Sequence, residues 1–168
     1  MEIIYTILFK VIWSGVAAAG FGILFNIPNR TIIPVFSLGA IAGLIKFSAI
    51  HLDVGIIIAS FIASGFVGFA SIPFSSKKHT SPFVLSIPSI IPMIPGYYGY
   101  KTLLGVVKLA LSDNIQSEQT LFFSATQNGL RLFFILLVLT IGISLPWLAL
   151  RKKVRRKLLI DKAEDLVQ

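Results

Sequence analysis

Five long apolar stretches follow one another along the chain, and short polar turns separate them. These stretches, called segments 1 to 5, cover about residues 3–25, 32–50, 54–74, 82–111 and 114–150. A helix needs roughly 20 mainly apolar residues to cross the hydrocarbon core of a bilayer. The pattern therefore predicts an all-α membrane protein, a bundle of five transmembrane helices over residues 1–150.

The composition agrees with that pattern. Hydrophobic residues make up 55% of the chain and charged residues only 13%, whereas about 25% of a soluble domain is charged. There is no cysteine, which excludes disulfides, thiol catalysis and thiolate metal sites.

Residues 151–168 form a basic tail. Six of the seven residues from Arg151 to Lys157 are basic, within a net charge of +8. A basic run can bind nucleic acid, but this one directly follows a long apolar segment. The positive-inside rule for membrane proteins explains it more simply. We therefore expect the tail to be cytoplasmic, with a lipid bilayer rather than nucleic acid as its surroundings.

The charges of the turns sort in the same way. Five spans and a cytoplasmic C-terminus place the N-terminus outside. The turn with Arg30 and the loop with Lys77 then lie inside, while the turns that hold Asp53, Asp113 and Glu118 lie outside. Every loop thus obeys the positive-inside rule.

Segment 4 is too long for one straight span. Its 30 residues would extend about 45 Å as a helix, against a hydrocarbon core of about 30 Å. Pro95 and Gly96 are the expected break, because proline ends a helix and glycine permits unusual backbone angles. The prediction is a fourth helix broken by Pro and Gly.

A broken helix at membrane depth is a candidate binding site. The half-helix that starts at Gly96 would point free N–H groups and the positive end of its dipole at an anionic group. Lys101 lies one turn after Tyr97 on the same face and could hold a substrate carboxylate, while Tyr97 or Tyr100 could donate a hydrogen bond to it. Alternatively, these tyrosines and lysines form an ordinary interfacial belt.

Other polar residues in the apolar segments have two interpretations. Arg131 ends a polar face of segment 5, and it either snorkels to an interface or lines a water-filled path. The same alternatives hold for Lys10 in segment 1. His51 and Asp53 are either solvated turn residues or members of a proton relay.

The sequence lacks the motifs of an enzyme. It has no Gly-x-Ser-x-Gly, no HExxH, no phosphate-binding GxxxxGK[ST] and no paired carboxylates in a span. We therefore expect neither catalysis nor a bound metal or cofactor in this chain.

Several motifs, in their order along the chain, resemble the threonine/serine exporter family, and specifically its small membrane-only, YjjB-like half. They are Asn26-Ile27-Pro28, Ile91 to Gly96 followed by Tyr100, Lys108, Asn128, and Gly142 to Pro146 before the basic tail. The resemblance covers nearly the whole chain.

The resemblance implies a bacterial inner-membrane exporter of threonine and serine, or of a dicarboxylate such as succinate. It implies a larger membrane subunit as partner, and it adds Asn26, Pro92 and Asn128 to the candidate substrate-binding residues. A substrate-binding membrane subunit of a vitamin uptake system and a membrane protein without a substrate remain the alternatives.

The charge pattern makes a testable prediction about orientation. A reporter enzyme fused after Gln168 should be active in the cytoplasm, because the basic residues resist translocation. Reporter activity outside the cytoplasm would contradict the five-span topology.

Overall fold

The computed structural model describes residues 2–112 and 119–165, with side chains described over 5–112 and 119–149. The described chain is helical throughout, without strands, so the all-α prediction is confirmed. The six helices are α1 (Glu2–Leu24), α2 (Ile32–His51), α3 (Ile56–Lys78), α4 (Pro82–Ile90), α5 (Gly96–Ala110) and α6 (Gln119–Asp165). The loop that holds Asp113 and Glu118 lies outside the described residues.

The helix count differs from the predicted five. Four helices, α1, α2, α3 and α6, are long and apolar enough to cross a membrane. Segment 4 divides into α4, a single 3-10 turn from Ile91 to Met93, and the 15-residue α5. At 1.5 Å per residue α5 extends about 22 Å, which is less than the hydrocarbon core. Pro92 and Pro95 remove two N–H groups from the helical ladder within four residues, and segment 4 breaks there.

Three of the helices end in the same kind of turn. Asn26 after α1, Asp53 after α2 and His79 after α3 have φ values of 53°, 57° and 49°, in the left-handed region. Non-glycine residues are uncommon there, and Asn, Asp and His are enriched among them. Each turn therefore reverses the chain without a glycine. Asn26 thereby acquires a role in the backbone at the end of α1.

Close helix packing depends on small residues. Gly39 and Gly43 of α2 face Ala18 and Ser14 of α1, where a side chain on either glycine would collide with α1. The spacing of four residues between these two glycines thus lets α1 and α2 approach closely. On the other side of the bundle, a Cβ on Gly68 of α3 would lie 2.8 Å from the α-carbon of Ile143 in α6.

The two halves of segment 4 occupy different positions. α4 packs among α1, α2 and α3, whereas α5 packs chiefly against the first part of α6. Met93, at the end of α4's 3-10 turn, belongs to a buried cluster with residues of α2, α3 and α6. The break between the halves therefore lies in the interior of the bundle, and α5 leaves it along α6.

One contact joins the two basic turns. The Arg30 guanidinium donates a 3.4 Å hydrogen bond to the carbonyl of His79, so the turns after α1 and α3 lie at the same end of the bundle. The helices α1, α2 and α3 therefore alternate in direction.

The α3–α6 contact provides a stability test. Gly68→Ala should destabilise the bundle by about 1–3 kcal/mol, because the new methyl group would press on the α6 backbone. The thermal midpoint in detergent, followed by tryptophan fluorescence, measures the change. Gly65→Ala is the matched control on the same helix, since a Cβ there has no neighbour within 4 Å. Equal midpoints for both variants would contradict the packing.

Candidate functional site

The break in segment 4 is an ordered turn. After Met93, Ile94 has an extended backbone with ψ 121°, and α5 begins at Gly96. The Gly96 N–H donates to the carbonyl of Ile94 at 2.9 Å, and the Tyr98 N–H donates to that of Pro95 at 3.0 Å. Two N–H groups at the start of α5 are thus already bonded within the turn. No described glycine has a positive φ, so the unusual backbone angle predicted for Gly96 is wrong, and the prolines make the break.

Lys46 of α2 reaches into this break from the side. Its side chain is only 5% exposed, and its Nζ donates a 2.6 Å hydrogen bond to the carbonyl oxygen of Met93. Among the residues whose burial is described, Lys46 is the one buried charged side chain. Burying an ammonium group is costly unless it gains a strong partner, so this contact organises the centre of the bundle.

The Met93 carbonyl suits a cation for two reasons. In an uninterrupted helix it would accept the N–H of residue 97, but the turn at Ile94 and Pro95 removes that partner. A helix C-terminus also carries a partial negative charge from its unpaired carbonyls. The ammonium of Lys46 satisfies both the free oxygen and the helix dipole.

Two more cations lie beside the residues that follow the break. The guanidinium of Arg131 in α6 lies 5.9 Å from the centre of the Tyr98 ring. The Nζ of Lys101 lies 5.5 Å from the centre of the Tyr97 ring. Tyr98 itself packs against the buried cluster that contains Met93. Lys46 of α2 thus bonds to the break itself, while Lys101 of α5 and Arg131 of α6 are exposed cations beside the first turn of α5.

These cations have no acidic counterpart in the apolar helices. The sequence has no Asp or Glu from residue 5 to 24, 29 to 51, 56 to 110 or 119 to 149. Isolated charges at membrane depth are costly and mark functional sites. The break is therefore an electropositive site that lacks a negative charge of its own.

Ser60 adds a polar group near the same cluster. Its hydroxyl is fully buried and has no hydrogen-bond partner among the described residues. Ser60 lies on α3 between Ile57 and Ala63, which both belong to or pack on the cluster containing Met93. A buried polar group without a partner calls for an explanation, and a polar ligand in the bundle would supply one.

A shallow, open cleft lies between α1, α2 and Pro92 of the 3-10 turn. It has a volume of about 330 Å³, and its lining includes Lys10, Ser14, Phe47 and Pro92. The Nζ of Lys10 lies 5.2 Å from the centre of the Phe47 ring. Lys10 is exposed, contacts an aromatic ring and lies at the edge of this open cleft.

Comparison with known proteins identifies the family. Residues 10–149 match the family described as "Threonine/Serine exporter, ThrE". The chain belongs to this family. Together with its apolar helices, this makes it a multi-pass membrane protein of a transporter family, which supports the expectation that it is not an enzyme.

The sequence is also similar to a longer curated protein. A protein of Haemophilus influenzae (strain ATCC 51907 / DSM 11121 / KW20 / Rd), described as uncharacterized, is 26% identical over 142 residues. The match covers 84% of this exporter-family chain and 47% of the relative, so the chain spans about half of that protein's length. No solved structure matches the chain.

The structure brings several predicted site residues together. Pro92, Pro95 and Gly96 form the break, while Tyr97 and Arg131 lie at its α5 side. Both Tyr97 and Lys101 are exposed at the surface of the exporter-family chain.

Three other predicted site residues lie away from the break's described contacts. Asn26 lies in the exposed turn after α1, at the end of the bundle that holds Arg30. Asn128 donates to the carbonyl of Ser124 within α6 at 2.8 Å. Tyr100 is exposed on α5. His51 and Asp53 are both exposed at their turn.

The sequence interpretation missed Lys46. The signal is one lysine in an otherwise apolar segment 2, five residues before the turn at His51. A lysine so close to a helix end usually snorkels to the interface. Only the position of α4 beside α2 shows that this lysine points inward to a free carbonyl.

Water access to the break can be tested by labelling. The chain has no cysteine, so single-cysteine variants give an unambiguous signal. Tyr97→Cys should react with a water-soluble maleimide at least about tenfold faster than Leu103→Cys, because the reactive thiolate needs water. Both side chains are exposed, at 65% and 68%, but they lie on different faces of α5. Equal labelling rates would contradict a wet path at Tyr97.

Proposed function

We propose that this chain is the membrane subunit of a secondary exporter for small carboxylate-bearing metabolites, with threonine or serine as the first candidates and succinate as the second. The observation that carries the proposal is the cluster of cations around a broken helix that has no acid of its own. An anionic carboxylate would complete the charge balance there. Membership in the threonine/serine exporter family supports threonine and serine among these substrates.

The two short helices together form one crossing of the membrane in this proposal. α4 with its 3-10 turn spans residues 82–93, and α5 spans Gly96–Ala110. Each helix alone is shorter than the hydrocarbon core, and the two together are long enough to cross it. With four full spans, this gives five crossings of the bacterial inner membrane, the N-terminus outside and residues 151–168 in the cytoplasm.

Arg131 is the best candidate for binding the substrate carboxylate. A guanidinium binds a carboxylate through two parallel hydrogen bonds. Its present contact, with the Tyr98 ring, is worth only about 0.5–2 kcal/mol, as cation–π contacts are. A carboxylate can therefore take the guanidinium from the ring. Lys101, held in the same way by Tyr97, adds a second positive charge.

A larger membrane subunit completes the transporter in this proposal. The Haemophilus influenzae relative is about twice as long as the region it shares with this chain. In addition, Tyr97, Lys101 and Lys108 form an exposed polar stripe along α5, which lipid tails would not solvate. A partner that packs beside α5 would enclose this stripe and the path next to it.

Efflux measurements test the function. Cells that overproduce the chain with its partner should release threonine or serine faster than cells that lack it. Arg131→Gln should reduce this efflux at least about tenfold, because a lost charged hydrogen bond is worth about 1.5–3 kcal/mol. Lys77→Gln is the control, since Lys77 is an exposed cation at the end of α3.

Two outcomes would count against the proposal. If overproduction leaves threonine, serine and succinate efflux unchanged, the exporter function is wrong. If only Arg131→Gln is without effect at normal protein abundance, Arg131 snorkels to the interface and the carboxylate binds elsewhere.

A further inference from the structure

We propose that the Met93 carbonyl is the binding site for the α-ammonium group of an amino-acid substrate, and that Lys46 occupies this site while it is empty. The inference rests on the proposed function and assigns one end of the substrate to a particular atom. Threonine and serine are zwitterions, so their ammonium group needs an acceptor as much as their carboxylate needs a cation. The apolar stretches 5–24, 29–51, 56–110 and 119–149 contain no acid that could serve.

The side chain of Lys46 shows what this carbonyl binds. Lysine ends in a primary ammonium group, the same chemical group that an amino acid carries on its α-carbon. The Nζ of Lys46 donates to Met93 at 2.6 Å, a short charge-assisted bond. The oxygen also lies at the C-terminal end of α4 and its 3-10 turn, where partial negative charge favours a cation.

The site also lies next to the cations that suit a carboxylate. Met93 and Tyr98 belong to and pack on one cluster, and Arg131 contacts the Tyr98 ring. A small amino acid placed at the break would present its ammonium to Met93 and its carboxylate toward Arg131. The break thus offers both charges of a zwitterion a partner.

Lys46 and the substrate ammonium compete for the same oxygen. Two unit charges about 4 Å apart repel by about 4 kcal/mol even at an effective dielectric constant of 20. The charged side chains on the neighbouring elements do not relieve this. Lys10 of α1 and Arg131 of α6 are cations, α3 carries charge only at Lys77 and Lys78 in its last turn, and α4 and the 3-10 turn carry none.

Proton loss from Lys46 resolves the competition. The ammonium of Lys46 gives one proton to water and becomes a neutral amine, and the substrate ammonium then binds the Met93 carbonyl. The ammonium subsite at Met93 carries one positive charge before and after the exchange, because one proton leaves for each ammonium that enters. The substrate carboxylate is balanced separately, by the cation of Arg131. When the substrate leaves, Lys46 takes a proton from water and returns to Met93. The exchange thereby couples export of one amino acid to entry of one proton.

Inverted membrane vesicles from cells that overproduce the full chain with its partner provide the test. Respiration acidifies the vesicle interior, and a fluorescent weak base reports the acidity. Adding L-threonine should release protons from the interior. N-acetyl-L-threonine keeps the carboxylate and hydroxyl but lacks the ammonium, so it should release at least tenfold fewer protons. Proton release by N-acetyl-L-threonine equal to that by L-threonine would overturn the proposal.

Lysine variants distinguish a loss of this proton exchange from a general loss of transport activity. Lys46→Met removes the ammonium at similar volume, and the protons moved per threonine transported should fall at least tenfold. Lys77→Gln should leave that ratio unchanged.

An unchanged ratio in Lys46→Met would overturn the assignment of Lys46 while leaving the exporter function intact. If no vesicle transports threonine at all, the proposed function itself fails for this substrate. If Lys46→Met is not produced, the comparison of the two ligands in the unmodified protein still decides.

Discussion

The hydrogen bond from Lys46 to the Met93 carbonyl is the interaction on which the centre of this structure depends. Two polar groups meet there that would each be costly in an apolar interior, a buried ammonium and a backbone oxygen without a helical partner. The hydrogen bond between the two groups offsets the cost of burying each of them. Because α2 supplies the lysine and segment 4 supplies the oxygen, the same bond fixes the break against the packed half of the bundle.

The break divides segment 4 into one helix that three others enclose and one helix that has a single main neighbour. α4 is enclosed by α1, α2 and α3, whereas α5 is supported chiefly by α6. Small residues allow the close α5–α6 contact, with Gly105 against Ala125 and Gly129 against Thr102. A substrate bound at the break, as proposed, would lie between α4, which three helices enclose, and α5, which contacts chiefly α6.

Charge balance connects the site to the rest of a transporter. The two cations beside the first turn of α5, Lys101 and Arg131, face aromatic rings rather than carboxylates. Such cation–π contacts are weak enough to be replaced by other contacts. A site of this kind has positive charge for an anionic group and contains no carboxylate of its own that would compete for it. The chain spans about half of its longer relative, and the polar stripe of α5 is where we expect the proposed partner subunit to pack.

The sequence alone determined the apolar segments, their approximate ends and the break at the prolines, because hydrophobic length and missing N–H groups are local properties. It also carried the motifs of the exporter family. Only the tertiary structure decided that segment 4 forms two separately packed helices and that Lys46 is buried. The reason is physical: whether a lysine snorkels or turns inward depends on an acceptor 47 residues away along the chain, which helix packing alone brings within reach.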